Sequence, residues 1–160
     1  MYIKKIEEND KQLIIDYLLS EWGSTVLVLR EGEIFDLQDE EGFIAYHGDT
    51  VTGLITYRIT GHICEILSLN SNIENHGLGS SLIEKVIECA QLNKCDLLRV
   101  ITTNDNLRAM GFFQKRGFHL VKLYVNAMDY VRKVKPDIPL LGDNNIPLND
   151  ELEFEMYIES

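Results

Sequence analysis

A glycine-containing turn is the part of the sequence best suited to bind a phosphate group. Gly77 and Gly79 stand directly before the amphipathic run SSLIEKVIECA, which has the apolar spacing of a helix. The first N–H groups of a helix lack intrahelical partners, and the helix dipole favours an anion beside them. Glycine also allows the backbone to approach a phosphate without an intervening Cβ. The same turn is common at the start of a packed helix, so both interpretations are open at this point.

Two other phosphate-binding loops do not fit the turn. A Walker loop requires Gly-Lys-Ser/Thr, and that run is absent. A dinucleotide-binding fingerprint requires a third glycine, but Leu82 occupies its position.

The composition restricts the classes of partner. The chain has 160 residues, 45% of them hydrophobic, which predicts a single domain with a core of its own. Its 15 Lys and Arg against 26 Asp and Glu give a formal net charge of -11. Nucleic acids and anionic membranes bind basic surfaces, so we expect neither as a partner. The sequence allows a homodimer.

The N-terminus and the cysteines predict a cytoplasmic protein. MYIKKIEENDKQL has no apolar stretch typical of a secretory signal, and no window is long and apolar enough to span a membrane. Cys64, Cys89 and Cys95 show no CxxC or Cys/His spacing. Free thiols in a reducing compartment are therefore expected, with no disulfide framework and no metal site.

The periodicity predicts a mixed α/β sheet. We expect a helix from Asn9 or Asp10 to Trp22, a helix after the glycine turn, and a third helix capped by Asn104 or Asp105 and ended by Gly117. The stretch 30–41 is expected to be a loop or short helix. The predicted strands are 2–6, 25–29, 42–47, 51–60, 62–69, 96–102 and 118–125, and those in 42–69 form an antiparallel meander.

The C-terminal part has its own pattern. Pro136, Pro139 and Pro147 mark an extended connection over 136–147. The following run ELEFEMYI alternates, which predicts a half-buried strand over about 151–158. Leu152, Phe154, Met156 and Ile158 share its apolar face.

Two motifs in series resemble the GNAT superfamily of acyl-CoA-dependent N-acyltransferases. The family's Gln/Arg-x-x-Gly-x-Gly/Ala turn is matched by residues 74–79, with Glu74 in place of Gln or Arg. Its Asn-x-x-Ala…Tyr-x-x-x-Gly-Phe motif is matched by Asn106, Ala109, Gly117 and Phe118, with Phe113 in place of Tyr. The resemblance covers at least 42–125 and implies one domain over 1–160. The implied fold is a single mixed, mostly antiparallel, twisted sheet of about seven strands flanked by helices.

The resemblance also implies a cosubstrate, acetyl-CoA, and the residues that hold it. The pantetheine arm would lie along the strand that ends at Leu69 and accept backbone hydrogen bonds there. The pyrophosphate would lie on the N–H groups of the glycine turn. The implied binding residues are Leu67, Leu69, Asn75, His76, Gly77, Leu78, Gly79, Ser80, Asn106 and Phe113.

Three residues are candidates for the chemistry. The Leu69 N–H would stabilise the oxyanion, as the resemblance implies. Strict alternation places residues 65, 67 and 69 on one face of their strand, so Glu65 would face the acyl group and act as general base, directly or through water. The alternatives for Glu65 are a solvated side chain or a partner of an arginine. The family's tyrosine protonates the departing thiolate, which Phe113 cannot do, so water or Tyr124 would take that role.

The resulting prediction is direct transfer of an acetyl group from acetyl-CoA to a primary amine. The acceptor is a small molecule or a peptide, and the acidic clusters at 31–41 and 150–155 favour a cationic one. The alternative is an acyl-CoA-binding regulatory protein with weak or no catalysis, which Phe113 favours.

Overall fold

In the residues that the structure describes, the chain contains both strands and helices, and five strands follow one another between the first two α-helices. The computed structural model describes residues 2–72 and 77–159. The strands are β1 (Tyr2–Lys5), β2 (Val26–Leu29), β3 (Glu33–Asp36), β4 (Glu41–His47), β5 (Thr50–Thr60), β6 (Ile63–Ser71), β7 (Leu97–Thr103), β8 (His119–Tyr124) and β9 (Glu151–Tyr157). The α-helices are α1 (Lys11–Trp22), α2 (Leu78–Leu92), α3 (Leu107–Lys115) and α4 (Met128–Val134).

Seven strands form one sheet in the order β1-β4-β5-β6-β7-β9-β8, and β2 and β3 form a separate two-stranded sheet. The pairs β1/β4, β4/β5, β5/β6 and β8/β9 are antiparallel. The mixed, mostly antiparallel seven-stranded sheet flanked by helices is therefore confirmed. Strand β3 lies within 30–41, where the sequence predicted only a loop or short helix.

The chain divides into two compact units, which we describe separately. The first comprises residues 2–26, 36–72, 77–98 and 158–159, and the second comprises 27–35 and 99–157.

In the first unit, α2 packs on one face of the β4–β6 meander. Its stripe Leu78, Leu82, Val86 and Ala90 is buried, as the sequence predicted. A Cβ added to Gly53 of β5 would lie 3.1 Å from Leu78 Cδ2 and 3.2 Å from Leu82 Cδ1. Glycine therefore allows the start of α2 to lie close to the sheet. Helix α1 ends at Gly23, which has a φ of 71° and donates its N–H to the Leu19 carbonyl.

In the second unit, α3 covers the apolar face of β9. Phe113 forms edge contacts with Phe112 and Phe118 and lies 6.4 Å from the Phe154 ring. Phe154 is completely buried, which agrees with the predicted apolar face of this strand.

Candidate active site

Helix α2 begins with a backbone conformation that glycine adopts most readily. Gly77 is its N-cap with a φ of 74°, in the left-handed region, and as a glycine it has no side chain of its own to cap the helix. The Ser81 N–H and hydroxyl both donate to the Gly77 carbonyl at 3.0 Å. Leu78 is buried, so it contributes only its backbone at the surface. This start has the features of an anion-binding helix terminus, with Gly79 and Ser80 in its first turn.

Two predicted phosphate-binding residues, Asn75 and His76, lie outside the described residues. Their assignment remains a prediction.

A β-bulge in β6 changes which side chains share a face. The register pairs Thr56 with Ser68 and then Tyr57 with Ile66, so Leu67 is an extra residue in β6. Strict alternation would place residues 65, 67 and 69 together, and that expectation is wrong. Glu65 lies on the face of Ser68, whereas Leu69 points to the opposite face. The bulge does not affect the assignment of the Leu69 N–H, because that assignment concerns the backbone.

Glu65 is a buried carboxylate placed opposite an arginine. It is 8% exposed and pairs in register with Arg58 of β5. Arg58 donates to both Glu40 carboxylate oxygens, at 2.6 and 2.7 Å. The hydrogen bond to Glu40 and, to a smaller extent, the charge of Glu65 raise the pKa of Arg58. Burial favours a catalytic base and the arginine favours a structural ion pair, so both interpretations of Glu65 have support.

Beside Glu65 the same face of β5 and β6 is polar. The Thr56 and Ser68 hydroxyls share a hydrogen bond of 2.5 Å, and both side chains are buried. The bulge thus gives Glu65 polar neighbours on its own face of the sheet.

In the second unit, Asn106 caps α3. Its Oδ1 accepts the Ala109 N–H at 3.0 Å. The sequence predicted Asn104 or Asp105 as the cap, and this is wrong because their side chains bind the segment 143–150 instead. In the part of the chain that the structure describes, the Asn106 Nδ2 group donates no hydrogen bond. It can therefore donate to a carbonyl group of a ligand.

Phe113 occupies the middle of the aromatic cluster on α3 and β9. Its side chain is only 4% exposed, so it serves as a core residue of the second unit. It has no proton to donate, and its role towards the cosubstrate remains a prediction.

Tyr124 is engaged with a carboxylate. Its hydroxyl donates to Glu153 Oε1 at 3.1 Å. Burial first, and then the Glu153 charge, raise the pKa of Tyr124 to about 12. The phenol keeps its proton at neutral pH but shares it with Glu153, which makes Tyr124 a weak acid.

Glu153 is also the centre of a buried ionic network that sequence reasoning missed. Arg30 Nη1 lies 3.4 Å and Arg99 Nε 3.8 Å from Glu153 Oε1. The Arg30 N–H donates to Glu151 Oε1 at 2.8 Å, and Arg99 Nη2 lies 3.3 Å from Glu155 Oε2. The alternating glutamates were the available signal, but their partners lie more than 50 residues away in the sequence.

The network bears on two predictions, the burial of β9 and the acidic clusters at 31–41 and 150–155. Glu151 and Glu153 are 2% and 6% exposed, so the acidic face of β9 is buried in its first half, whereas Tyr157 at its end is 84% exposed. The charges of Glu31 and Glu33 act on Glu151, so the acidic groups at 31–33 and at 151–153 lie near each other in the second unit.

Among residues 2–72 and 77–159, no cluster of three or more His, Cys, Asp or Glu side chains has a metal-binding arrangement. No helix in the described part of the chain is long and apolar enough to cross a membrane.

The sequence matches a known protein family and two bacterial proteins. The model of the acetyltransferase (GNAT) family matches residues 11–118. The Bacillus subtilis (strain 168) protein YxbD, itself uncharacterized, is 43% identical over 143 residues, with 89% of each chain covered. The uncharacterized protein YdhI of the same strain is 38% identical over 160 residues, with 99% of each chain covered.

Solved structures share the fold at low sequence identity. An IAA acetyltransferase from Bacillus cereus has a TM-score of 0.70 at 18% identity, with 98% of this chain and 99% of that chain covered. A Bacillus subtilis acetyltransferase in complex with CoA has a TM-score of 0.69 at 18% identity, with 98% and 97% covered. Because the family match spans well over half of the sequence and agrees with the fold, the chain belongs to the GNAT acetyltransferase family.

Proposed function

We propose that the protein transfers an acetyl group from acetyl-CoA to a primary amine by direct attack. The observation that carries this proposal is the start of α2 at left-handed Gly77, since the first backbone N–H groups of a helix favour an anion such as a pyrophosphate. Backbone donors suit an anionic cosubstrate because the net charge of -11 provides no overall attraction for it.

The reaction requires a base and an oxyanion donor. The amine nitrogen attacks the thioester carbon, the Leu69 N–H stabilises the oxyanion, and the C–S bond then breaks as the C–N bond is retained. Glu65 accepts the proton that the amine loses, directly or through one water. The backbone of Leu67 and Leu69 would bind the pantetheine arm, and the Asn106 Nδ2 group would donate to one of its carbonyls.

The leaving thiolate needs little help from an acid. An alkyl thiol has a pKa near 8.5, so its thiolate is a tolerable leaving group near neutral pH. Water would protonate it, because Phe113 has no proton and Tyr124 shares its own with Glu153. A Tyr124→Phe variant should therefore keep kcat within about threefold, since a lost general acid would cost about 100-fold. A 100-fold loss would instead assign the acid role to Tyr124.

For the acceptor, we propose a cationic amine, either a small molecule or a peptide. Its support is the local excess of carboxylates in the network on β9, where two guanidinium groups, Arg30 and Arg99, lie among Glu33, Glu151, Glu153 and Glu155. A surplus of negative charge attracts an ammonium group from solution.

Gly79→Asp tests the cosubstrate site. It places a carboxylate in the first turn of α2, where it would repel a pyrophosphate and replace it at the N–H groups. The Kd for CoA, measured by isothermal titration calorimetry, should rise at least about tenfold, equivalent to about 1.4 kcal/mol. Gln91→Asp is the matched control, since it adds the same charge to an exposed position near the other end of α2. Equal Kd values for the two variants would contradict the placement.

The regulatory alternative draws on Phe113, which has no acidic proton to donate and is buried in an aromatic cluster. Release of free CoA thiol from acetyl-CoA, assayed across a panel of primary amines, separates the two functions. Turnover with any amine supports the enzyme. CoA binding without turnover on every amine would support the regulator, and failure to bind CoA would contradict both.

A further inference from the structure

The run Asn104-Asp105-Asn106 joins the end of β7 to the start of α3, and its first two side chains bind a distant segment. Asn104 Oδ1 accepts the N–H groups of Asn149 and Asp150, each at 3.0 Å. Its Nδ2 donates to the Pro147 carbonyl at 2.8 Å. The start of α3 is therefore attached to the connection that precedes β9.

Asp105 makes the second attachment and is 6% exposed. Its Oδ1 accepts the Thr103 hydroxyl at 2.5 Å, and its Oδ2 accepts the Asp143 N–H at 2.8 Å. A buried carboxylate with both oxygens bound is held in one orientation. Since Asp105 directly precedes Asn106, this orientation fixes the backbone from which the Asn106 side chain projects.

Gly142 fits against Asp105 because it has no side chain. Its φ of -96° is accessible to any residue, so backbone conformation does not require glycine. A Cβ at this position would instead overlap the Asp105 carboxylate, lying 2.6 Å from its Cγ and 2.9 Å from its Cβ. The contact thus depends on the absence of one methyl group.

The connection is rigid enough to transmit that contact. The Gly142 N–H donates to the Ile146 carbonyl at 2.8 Å, and the Leu148 N–H donates to the Leu140 carbonyl at 2.9 Å. Arg132 of α4 donates to the carbonyls of Pro139 and Leu148, at 2.8 and 2.7 Å. Residues 139–148 therefore form a closed loop that cannot easily move away from Asp105.

We propose that Asp105 and Gly142 are a positioning pair for Asn106, which sets the direction of its Nδ2 donor towards acetyl-CoA. This inference rests on the proposed function, in which Asn106 binds the pantetheine arm. A displacement of about 1 Å at a binding group can cost about 100-fold in a reaction, so a contact that holds one backbone position has a measurable effect.

The test uses the Kd for CoA from isothermal titration calorimetry on the full chain. Asn106→Ala should raise Kd about tenfold by removing the donor, the upper range of one hydrogen bond. Gly142→Ala should raise Kd by about fivefold or more in the natural sequence. In the Asn106→Ala background, Gly142→Ala should change Kd by less than twofold, because the residue that it positions is absent.

Two Asp105 variants separate positioning from general folding. Asp105→Asn retains an oxygen for the Asp143 N–H and an amide group for the Thr103 hydroxyl, so its Kd should stay within twofold. Asp105→Ala loses both and should resemble Gly142→Ala. Gly111→Ala on α3 is the control, since an added Cβ there has no neighbour within 4 Å.

The outcomes are distinct. Equal effects of Gly142→Ala with and without Asn106 would overturn the positioning role and indicate a structural one. An unchanged Kd in Gly142→Ala, or in Asn106→Ala, would overturn it as well. The proposed function fails separately, if the natural protein does not bind CoA. Thermal unfolding of each variant confirms that the Kd comparison is made on folded protein.

Discussion

Strands β6 and β9 both carry buried carboxylates, but their surroundings differ. On β6, Glu65 lies opposite Arg58, which is already bound through two hydrogen bonds to Glu40. On β9, Glu153 is itself the shared partner of Tyr124, Arg30 and Arg99. On β6, the arginine interacts with two carboxylates, Glu40 and Glu65, whereas on β9 a single carboxylate is shared by three groups. The proposed function therefore assigns chemistry to Glu65, and the network assigns a structural role to Glu153.

The two strands also differ in regularity. Strand β9 keeps its alternation from Glu151 to Tyr157, and the irregularity of that pair lies in β8 between Leu120 and Lys122. Strand β6 contains the bulge at Leu67, which moves Glu65 and Leu69 to opposite faces. Bulges redirect side chains next to active sites, which agrees with assigning chemistry to β6 and support to β9.

The largest expected effect is that of Glu65→Gln. Removing a general base should lower kcat about 100- to 10,000-fold and leave the Kd for CoA unchanged.

Glu40→Gln is the control, because it removes the other acid at Arg58 and leaves Glu65 in place. It should keep kcat within about threefold. If Glu65 only balances Arg58, then Glu65→Gln and Arg58→Gln will lower the free energy of unfolding by similar amounts and leave kcat intact. That result would remove the contrast between the strands.

On β9, Glu153→Gln should mainly affect stability. It leaves two guanidinium groups without their shared carboxylate, whose side chain is 8% exposed, and should cost about 3 kcal/mol of unfolding free energy. Urea unfolding measures this change. The neighbouring Glu155→Gln should cost less than about 1 kcal/mol, since its side chain is 23% exposed and pairs with the partly exposed Arg99. Equal losses would show that Glu153 is not the centre of the network.

Gly53→Ala tests whether close packing on α2 positions the site beside β6. The new Cβ would lie 3.0 Å from the Asn70 carbonyl oxygen and 3.1 Å from Leu78 Cδ2. Overpacking of this kind should cost about 2 kcal/mol and shift the start of α2, so the Kd for CoA should rise as well. A loss of stability with unchanged Kd would separate the packing of α2 from CoA binding.

The smallest effect is the pH dependence that Glu151 contributes. Burial raises the pKa of Glu151 from 4.5, so the folded state holds this proton more tightly than the unfolded state. The contribution of Glu151 to the free energy of unfolding is therefore most favourable below pH 4.5. It declines as the pH rises through the pKa of the folded state. Glu151→Gln keeps an oxygen for the Arg30 N–H. Because glutamine has no carboxyl group to titrate, the stability of this variant should not decline in the same way. The variant should gain in Tm relative to the natural protein as the pH rises from 4 to 7, and a constant difference would contradict this.

The local pattern predicted most elements because each depends on neighbouring residues. Gly23 ends α1 as expected, and the stripe from Leu78 to Ala90 is buried as its spacing indicates. The cap of α3 was placed one or two residues too early, because Asn104, Asp105 and Asn106 are equally good caps by type. In the folded protein, the segment 143–150 binds the side chains of Asn104 and Asp105, so Asn106 is the residue that caps α3.

What the sequence by itself determined is the family and the order of most strands and helices, since these follow from spacing along the chain, although it missed β3 and α4. The tertiary structure decided which groups surround each buried carboxylate. A bulge at Leu67 changes the face of Glu65, and Arg30 binds Glu151 of β9 although the two residues are 121 positions apart in the sequence. Neither is visible in local periodicity, because register and ion pairing depend on the partner strand and on side chains that only folding brings near.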